Sequence, residues 1–247
     1  MHGMGVNVEG YVHSVETGGA VDGPGLRFVV FLTGCALRCL YCHNPDTWHM
    51  PDGKKTGVAS LLNEILLYSH YLQRTGGGVT ATGGEPLAQP EFVTALFQGC
   101  KAMGLHTALD TSGFLGANAT DALLAATDLV LLDIKSFDPA TYKHLTGGNL
   151  APTLRFAERL AAMGKPTWLR YVLVPGLTDD LASIEALADY AFKLGMAKVE
   201  VLPFHKMGET KWEALMLPYT LKDTQPPSPE LVRKVKSIFI QHLLRTV

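Results

Sequence analysis

Three of the four cysteines lie within eight residues, as Cys35, Cys39 and Cys42 in the segment GCALRCLYCHN. Three thiolates with this C-x3-C-x2-C spacing can bind three irons of a cubane cluster and leave the fourth iron open for chemistry, whereas ferredoxin-type clusters use four cysteines. A structural zinc site is the alternative, because zinc normally takes four ligands and His43 is available as the fourth. The spacing alone leaves both metal centres open.

The fourth cysteine, Cys100, stands apart in the apolar stretch FVTALFQGCKAMG. We expect it to be a buried helix thiol that packs as a small hydrophobic residue. A disulfide framework would use an even number of cysteines spread along the chain, so the clustered thiols indicate metal ligands instead.

Six short apolar runs alternate with segments of helical periodicity. The runs are LRFVVFLTG from Leu26, VTATGG from Val79, HTALDTSG from His106, LVLLDIK from Leu129, TWLRYVLVP from Thr167 and KVEVLPF from Lys198. Apolar strands that are each followed by a helix predict a parallel sheet buried on both faces. Six such units are too few for a closed eight-stranded barrel, so we predict an α/β fold with a partial (β/α)6 TIM-like barrel. An open doubly wound sheet is the alternative.

Polar residues and glycines gather where these predicted strands end, whereas the strand interiors carry almost no charge. In both architectures ligands bind at the carboxyl ends of the parallel strands. The strand-end set is Gly34 with Cys35, Gly83 to Glu85, Asp110 with Thr111, Asp133 with Lys135, Arg170, and His205. We therefore expect the functional site at this edge of the sheet.

The composition describes a folded globular chain. With 247 residues, 47% hydrophobic and 18% charged, we expect a single domain over residues 1–247. The formal charge of −2 gives no reason to expect nucleic acid or an anionic membrane as a partner. No apolar run approaches the roughly 18 residues that span a bilayer, and the N-terminus lacks the apolar core of a secretory signal. We expect a cytoplasmic protein, and nothing in the sequence demands more than a monomer.

The cysteine loop, with Tyr41 before its last cysteine, resembles the signature of the radical S-adenosylmethionine superfamily. TATGGEP, from Thr80, resembles the GGE motif of the same superfamily. The segments VDGPGLRFVVFLTGCALRCLYCHNPDTW, LDTSGF, RYVLVPG and LPFHKMGETKW further resemble the pyruvate formate-lyase activating enzymes, over about Val21 to Trp212. Residues 43–99 contain no cysteine, which favours this type over activases with a ferredoxin-like insert.

The resemblance implies that Cys35, Cys39 and Cys42 hold a 4Fe–4S cluster whose open iron binds S-adenosylmethionine. Reductive cleavage would yield a 5′-deoxyadenosyl radical, which takes hydrogen from a backbone glycine of pyruvate formate-lyase. The electron donor would be flavodoxin or ferredoxin. The loop Val21–Gly25, followed by Arg27, would face the glycine segment of the partner. The alternatives are activation of another glycyl radical enzyme or of anaerobic ribonucleotide reductase, and a non-catalytic metal-binding module.

The resemblance also implies a larger set of cofactor contacts. These are Tyr41, Cys42, His43, Gly83, Gly84, Glu85, Asp133, Ile134, Lys135, Arg170 and His205. Several have a structural alternative: core packing for Tyr41, a tight turn for the two glycines, a solvated loop carboxylate for Glu85, and capping for His205.

Asp110 and Asp133 are expected at neighbouring strand ends, where two buried carboxylates repel each other unless a cation lies between them. The resemblance implies a monovalent cation, Na⁺ or K⁺, bound by Asp110, Thr111, the Leu131 carbonyl and Asp133. The alternative is a salt bridge from Asp133 to Lys135.

Overall fold

The computed structural model describes residues 8–244, which fold into an α/β structure. The strands are β1 (Glu9–Gly19), β2 (Arg27–Leu32), β3 (Lys54–Gly57), β4 (Gly78–Gly83), β5 (His106–Thr111), β6 (Leu129–Asp133), β7 (Thr167–Leu173) and β8 (Lys198–Pro203). The helices are α1 (Val58–Arg74), α2 (Pro90–Ala102), α3 (Asp121–Ala125), α4 (Pro139–Thr146), α5 (Ala151–Ala162), α6 (Leu181–Lys193), α7 (Glu209–Ala214) and α8 (Pro229–Leu243).

The strands form one sheet in the order β3-β1-β2-β4-β5-β6-β7-β8. β1 runs antiparallel to β2 and β3, whereas β2 with β4, β4 with β5 and β7 with β8 pair in parallel. The sheet begins at β3 and ends at β8, so it does not close. This mostly parallel, unclosed sheet confirms the predicted fold class.

The apolar runs form strands because both faces of the sheet are covered. In β2, Phe28, Val29 and Val30 have no exposed surface, and Val79 and Ala81 of β4 are equally buried. Because both faces are buried, these strands have unbroken apolar sequences rather than alternating apolar and polar residues. All six predicted strands are observed.

The predicted helices also form, and their ends follow local rules. Gly104, Gly164 and Gly195 follow α2, α5 and α6 and have φ of 71°, 62° and 64°, the left-handed conformation that often ends a helix. Asp180 is the N-cap of α6, because its carboxylate accepts a hydrogen bond from the Ser183 backbone N–H at 2.8 Å.

Four elements were absent from the sequence prediction: β1, β3, α4 and α7. β1 was missed because its polar residues, such as Glu9 and Glu16, lie on an incompletely covered strand that has no apolar run. β3 has four residues and α7 has six, which is too short for a periodic signal. The α4 helix does carry a signal, since the Asp138 carboxylate caps it and Pro139 follows.

The fold consists of two compact units. The first comprises Met1–Cys35, Thr47–Thr111 and Ala117–Leu131, and the second Ala36–Asp46, Ser112–Gly116 and Leu132–Val247. The single domain expected over residues 1–247 stays a prediction. Within residues 8–244, no helix combines the length and the apolar character that crossing a bilayer requires.

Candidate active site

The start of the cysteine loop belongs to the first unit and follows β2. The backbone N–H of Gly34 donates to the Thr47 carbonyl at 2.8 Å, and that of Cys35 donates to the Trp48 carbonyl at 3.0 Å. The N–H of Glu85 donates to the Gly34 carbonyl at 2.8 Å. Backbone hydrogen bonds therefore join the segment that carries Cys35 to the segment that follows β4.

The two glycines after β4 are required by close backbone approach. Gly83 has φ of 106°, and a Cβ there would lie 2.4 Å from the Leu32 backbone nitrogen. A Cβ on Gly84 would lie 2.7 Å from the Gly34 carbonyl oxygen. The tight-turn alternative is therefore present in the structure, and a role of these glycines toward a ligand stays a prediction.

Glu85 is buried at 2% exposure, so the solvated-carboxylate alternative is wrong. Its Oε1 accepts hydrogen bonds from the Leu87 backbone at 3.1 Å and from the Thr111 hydroxyl at 2.6 Å. The carboxylate thus holds the turn after β4 against the end of β5. This geometry shows that Glu85 orients the loop, and its expected contact to the cofactor stays a prediction.

The residues predicted to bind a cation are divided between the two units. In the first unit, Asp110 Oδ2 accepts a hydrogen bond from the Thr82 hydroxyl at 2.6 Å, and Leu131 is fully buried. In the second, Asp133 Oδ2 accepts from Lys135 Nζ at 2.8 Å. The salt bridge that the sequence left as the alternative is therefore present, and the cation stays a prediction.

The remainder of the cysteine loop belongs to the second unit and is attached to α4. The backbone N–H groups of Arg38 and Leu40 donate to carbonyls at the end of that helix, at 2.8 and 3.0 Å. Within the loop, the N–H of Cys42 donates to the Cys39 carbonyl at 3.0 Å. The unpredicted α4 helix thus supports the segment that carries these two cysteines.

The Tyr41 ring packs in the apolar core of the second unit, as the core-packing alternative required. Its neighbours there include Leu145, Val174, Phe204 and Leu221. Burial raises the pKa of the Tyr41 hydroxyl well above its usual value. Within the described part of the chain that hydroxyl is buried and has no hydrogen-bond partner, which costs about 1–3 kcal/mol. Such a group offers a hydrogen bond to a bound molecule.

Lys135 lies beside Tyr41, and its ammonium group is stabilised in the charged form. Burial opposes this charge, but the Asp133 carboxylate and other neighbours outweigh burial and raise the pKa of Lys135 well above its usual value. Its Nζ lies 5.8 Å from the centroid of the Tyr41 ring, within cation–π range. The intervening Ile134 is fully buried. A persistent cation at this position suits a carboxylate ligand.

His43 and His205 form a stacked pair, with ring centroids 4.2 Å apart and an angle of 23° between the planes. His43 Nε2 donates to the His205 carbonyl at 3.2 Å. Burial, and then the proximity of His205, lower the pKa of His43, which keeps its imidazole neutral at pH 7. The two stacked rings present an aromatic surface.

Arg170 does not lie at a strand end as expected. It occupies the middle of β7, opposite Glu200 in the parallel register with β8. The Arg170 Nε lies 3.9 Å from Glu200 Oε2, and Arg170 is 9% exposed. Its predicted role toward a ligand carboxylate remains untested, and Glu200 is a partner that the sequence analysis missed.

Arg27 also departs from expectation, because its side chain is fully buried. The guanidinium donates to the Thr80 hydroxyl at 2.9 Å, the Val79 carbonyl at 2.6 Å and the Pro24 carbonyl at 3.3 Å. Desolvation lowers the pKa of Arg27 to about 10. Arg27 therefore holds the Val21–Gly25 loop from inside, and the expectation that this loop faces a partner stays a prediction.

Comparison with known proteins decides between the possible families. The Radical SAM superfamily model matches residues 29–190. The chain is 44% identical over 240 residues to the pyruvate formate-lyase 1-activating enzyme of Escherichia coli (strain K12), covering 96% of this chain and 98% of that protein. It is 44% identical over 238 residues to the pyruvate formate-lyase-activating enzyme of Clostridium pasteurianum, covering 96% and 99%.

The chain belongs to the radical SAM family of pyruvate formate-lyase-activating enzymes. A solved domain of such an activating enzyme from Bacteroides vulgatus superposes with a TM-score of 0.57 and 26% identity, covering 69% of this chain and 98% of that chain. Membership makes this protein a radical SAM activase that uses a 4Fe–4S cluster and S-adenosylmethionine. The alternative of a non-catalytic metal-binding module is thereby wrong.

The residues present fit such cofactors. Cys35, Cys39 and Cys42 are partly exposed thiols outside any disulfide, whereas Cys100 is buried on α2 and burial raises the pKa of its thiol to about 12. Cys100 is therefore the packing residue that the sequence predicted. Within residues 8–244, no three His, Cys, Asp or Glu side chains converge on one metal position.

Three side chains that contact predicted site residues were missed from the sequence: Thr82, Glu200 and Trp212. Thr82 and Glu200 have a signal, since each faces its partner across parallel strands whose register the apolar runs suggest. Trp212 Nε1 donates to the Cys42 carbonyl at 2.8 Å from a helix of six residues. No sequence pattern predicts the contact between Trp212 and Cys42.

Proposed function

We propose that this enzyme forms the glycyl radical of pyruvate formate-lyase. The single observation that carries the proposal is 44% identity over 96% of this chain and 98% of a pyruvate formate-lyase 1-activating enzyme. A match along almost the whole length of both proteins includes the surfaces that select a target. We further propose a cytoplasmic monomer that receives its electron from flavodoxin or ferredoxin.

In this proposal Cys35, Cys39 and Cys42 hold the 4Fe–4S cluster. When bound, the cluster and S-adenosylmethionine supply hydrogen-atom abstraction by a carbon-centred radical, and the protein supplies orientation and a dry environment. The backbone contacts of Gly83 and Gly84 shape the adjoining turn, and Glu85 fixes that turn through the Leu87 N–H.

We assign the amino acid part of S-adenosylmethionine to the cationic residues. Lys135 and Arg170 are each attached to a carboxylate, Asp133 and Glu200 respectively, which holds their charged groups in place. A ligand carboxylate would add a second anion to each cation without requiring it to move far. The Asp133 and Ile134 backbone would line the same part of the ligand.

We assign the adenosine part to the aromatic residues. The stacked rings of His43 and His205 offer a flat surface, and the buried Tyr41 hydroxyl offers a hydrogen bond. Burial lowers the pKa of His43, so the His43 ring favours its neutral form and suits a neutral purine.

We also propose a monovalent cation, Na⁺ or K⁺, on Asp110, Thr111, the Leu131 carbonyl and Asp133. Hard oxygen donors suit such an ion, and Asp133 has a second carboxylate oxygen beside the one that accepts from Lys135. The expected consequence is that S-adenosylmethionine binds several-fold more weakly after dialysis into tetramethylammonium buffer. Added K⁺ or Na⁺ should restore the wild-type affinity and leave Asp110→Asn unchanged.

The target is tested by EPR spectroscopy on the anaerobically reconstituted enzyme with reductant and S-adenosylmethionine. Inactive pyruvate formate-lyase should develop a glycyl radical doublet, and a variant with alanine at its radical-bearing glycine should not. Anaerobic ribonucleotide reductase serves as the rival target. A doublet on ribonucleotide reductase and none on pyruvate formate-lyase would overturn the assignment while leaving the family intact.

A further inference from the structure

The segment that follows β8 contacts the part of the cysteine loop that contains Cys42. Trp212 of α7 is 5% exposed, and its indole Nε1–H donates to the Cys42 carbonyl at 2.8 Å. The ring also packs against Tyr219, with centroids 5.4 Å apart. Trp212 is the buried residue of α7, so the inward face of this helix is directed at the cysteine loop.

Lys211, the neighbouring residue of α7, contacts the same loop two residues further along. Its Nζ donates to Asn44 Oδ1 at 2.9 Å and pairs with Asp46 Oδ2, also at 2.9 Å. The Lys211 and Asp46 side chains are 36% and 27% exposed, so solvent screens this pair and its contribution is modest. Its effect is geometric, because one ammonium group joins two residues that closely follow Cys42.

Gly208, just before α7, makes the third contact. A Cβ at this position would lie 2.8 Å from the His43 Cα and 3.1 Å from the Cys42 carbonyl oxygen. The backbone before α7 therefore touches the backbone of the loop directly, with no room for a side chain between them.

We propose that Gly208, Lys211 and Trp212, here named the α7 clamp, are positioning residues that fix Cys42 as a cluster ligand. The inference deepens the proposed function and rests on it, because Cys42 must bind the cluster for the clamp to matter. A hydrogen bond to the Cys42 carbonyl restrains the peptide plane after that residue and hence the direction of its thiolate. Contacts around a ligand tune both the hold on a metal centre and its electronic properties.

A purely structural role for Trp212 predicts a different result from a positioning role. Core packing against Tyr219 needs an aromatic ring, which phenylalanine supplies, whereas the bond to Cys42 needs the indole N–H. Trp212→Phe therefore removes the positioning contact and keeps most of the packing. Trp168→Phe is the matched control, because Trp168 is the second residue of β7 and its ring instead contacts Lys198, whose Nζ lies 4.0 Å from the ring centroid.

The test uses the reconstituted wild type and variants, with three readouts: iron loss to a chelator, the EPR spectrum of the reduced cluster with S-adenosylmethionine, and the Tm. Trp212→Phe should lose iron about fivefold faster, as expected for one missing hydrogen bond, and should show a changed spectrum. Lys211→Met should lose iron about twofold faster, because its pair is exposed. Trp168→Phe and Lys55→Met, which breaks a surface pair with Glu9, should match the wild type.

Wild-type iron retention and an unchanged spectrum in Trp212→Phe would overturn the inference. If that variant does not fold, Lys211→Met and Gly208→Ala decide the question, and wild-type iron loss in both would overturn it. A wild type that takes up no cluster would overturn the proposed function, and the inference with it.

Discussion

The two units hold their parts of the cysteine loop by different means. Around Cys35 the contacts are backbone to backbone: the N–H groups of Gly34, Cys35 and Glu85 all donate to carbonyls at 2.8–3.0 Å. Around Cys42 side chains, among them Trp212 and Lys211, add to the backbone hydrogen bonds that attach Arg38 and Leu40 to α4. A backbone-held segment tolerates most side-chain changes but no added Cβ at its glycines. Where side chains also hold the segment, each substitution that removes one contact should loosen the segment by a further small amount.

Loss of a cluster ligand should have the largest effect and should be independent of how the loop is held. Cys39→Ala removes one of the three thiolates, so the cluster and reductive cleavage of S-adenosylmethionine should both be lost. Cys100→Ala is the control, because that thiol is fully buried on α2, and it should load iron normally. Iron analysis and product chromatography measure both. Reductive cleavage that persists in Cys39→Ala would contradict the assignment.

In the region held by backbone contacts, adding a single methyl group at a glycine should cause a large loss of stability. Gly83→Ala forces φ of 106° on alanine and places its Cβ 2.4 Å from a backbone nitrogen. We expect about 3 kcal/mol of lost stability, measured by urea unfolding. Gly76→Ala is the matched control, because φ there is 65° and nothing lies within 4 Å of the Cβ. Only about 1–2 kcal/mol should be lost in that variant. Equal losses at both sites would show that close backbone approach is unimportant.

Stability of the same unit should depend on pH through His106, which starts β5. Its Nδ1 lies 3.2 Å from Arg27 Nη1, and burial, then Arg27, lower the pKa of His106. Below about pH 6.5 the unfolded chain therefore binds the proton more readily than the folded chain. Below that pH, the free energy of unfolding should therefore decrease as the pH is lowered, and His106 should contribute at most about 1.4 kcal/mol per pH unit. His106→Gln should flatten that slope in urea titrations at pH 7 and 5.5, and an unaltered slope would contradict the account.

In the region held by side chains, Tyr41→Phe should be the mildest change. The hydroxyl it removes is buried without a hydrogen-bond partner in the described residues, so stability should stay level or rise by about 1 kcal/mol. The affinity for S-adenosylmethionine should fall if the hydroxyl contacts the ligand, as proposed. Thermal unfolding without ligand and equilibrium binding separate the two effects. A clear loss of stability in the free protein would show that the hydroxyl has a structural partner.

The fold was predictable wherever burial leaves a continuous signal. Strands such as β2 and β4 are apolar throughout because both of their faces are covered. β1 was missed because its burial alternates irregularly and its polar residues form no apolar run. The α4 helix was missed, although Asp138 followed by Pro139 is a sequence signal for the start of a helix.

The site was predictable in its chemistry and less so in its contacts. Strand ends and the cysteine spacing identified the residue types, but burial and pairing depend on register and on distant segments. Glu85 was therefore not recognised as a buried cap, nor Arg170 as a mid-strand partner of Glu200. Arg27 illustrates the same limit, since a charged residue beside a glycine-rich loop suggests a surface, whereas this one is fully buried.

The central claim is that three thiolates hold a cluster with one iron open to S-adenosylmethionine. The most direct measurement is the EPR spectrum of the reduced, reconstituted enzyme before and after S-adenosylmethionine is added, with iron and sulfide determined on the same sample. The account predicts about four irons and four sulfides per chain and a cluster spectrum that changes on addition. A fully loaded cluster whose spectrum is indifferent to S-adenosylmethionine, or a protein that retains zinc instead of iron, would contradict it.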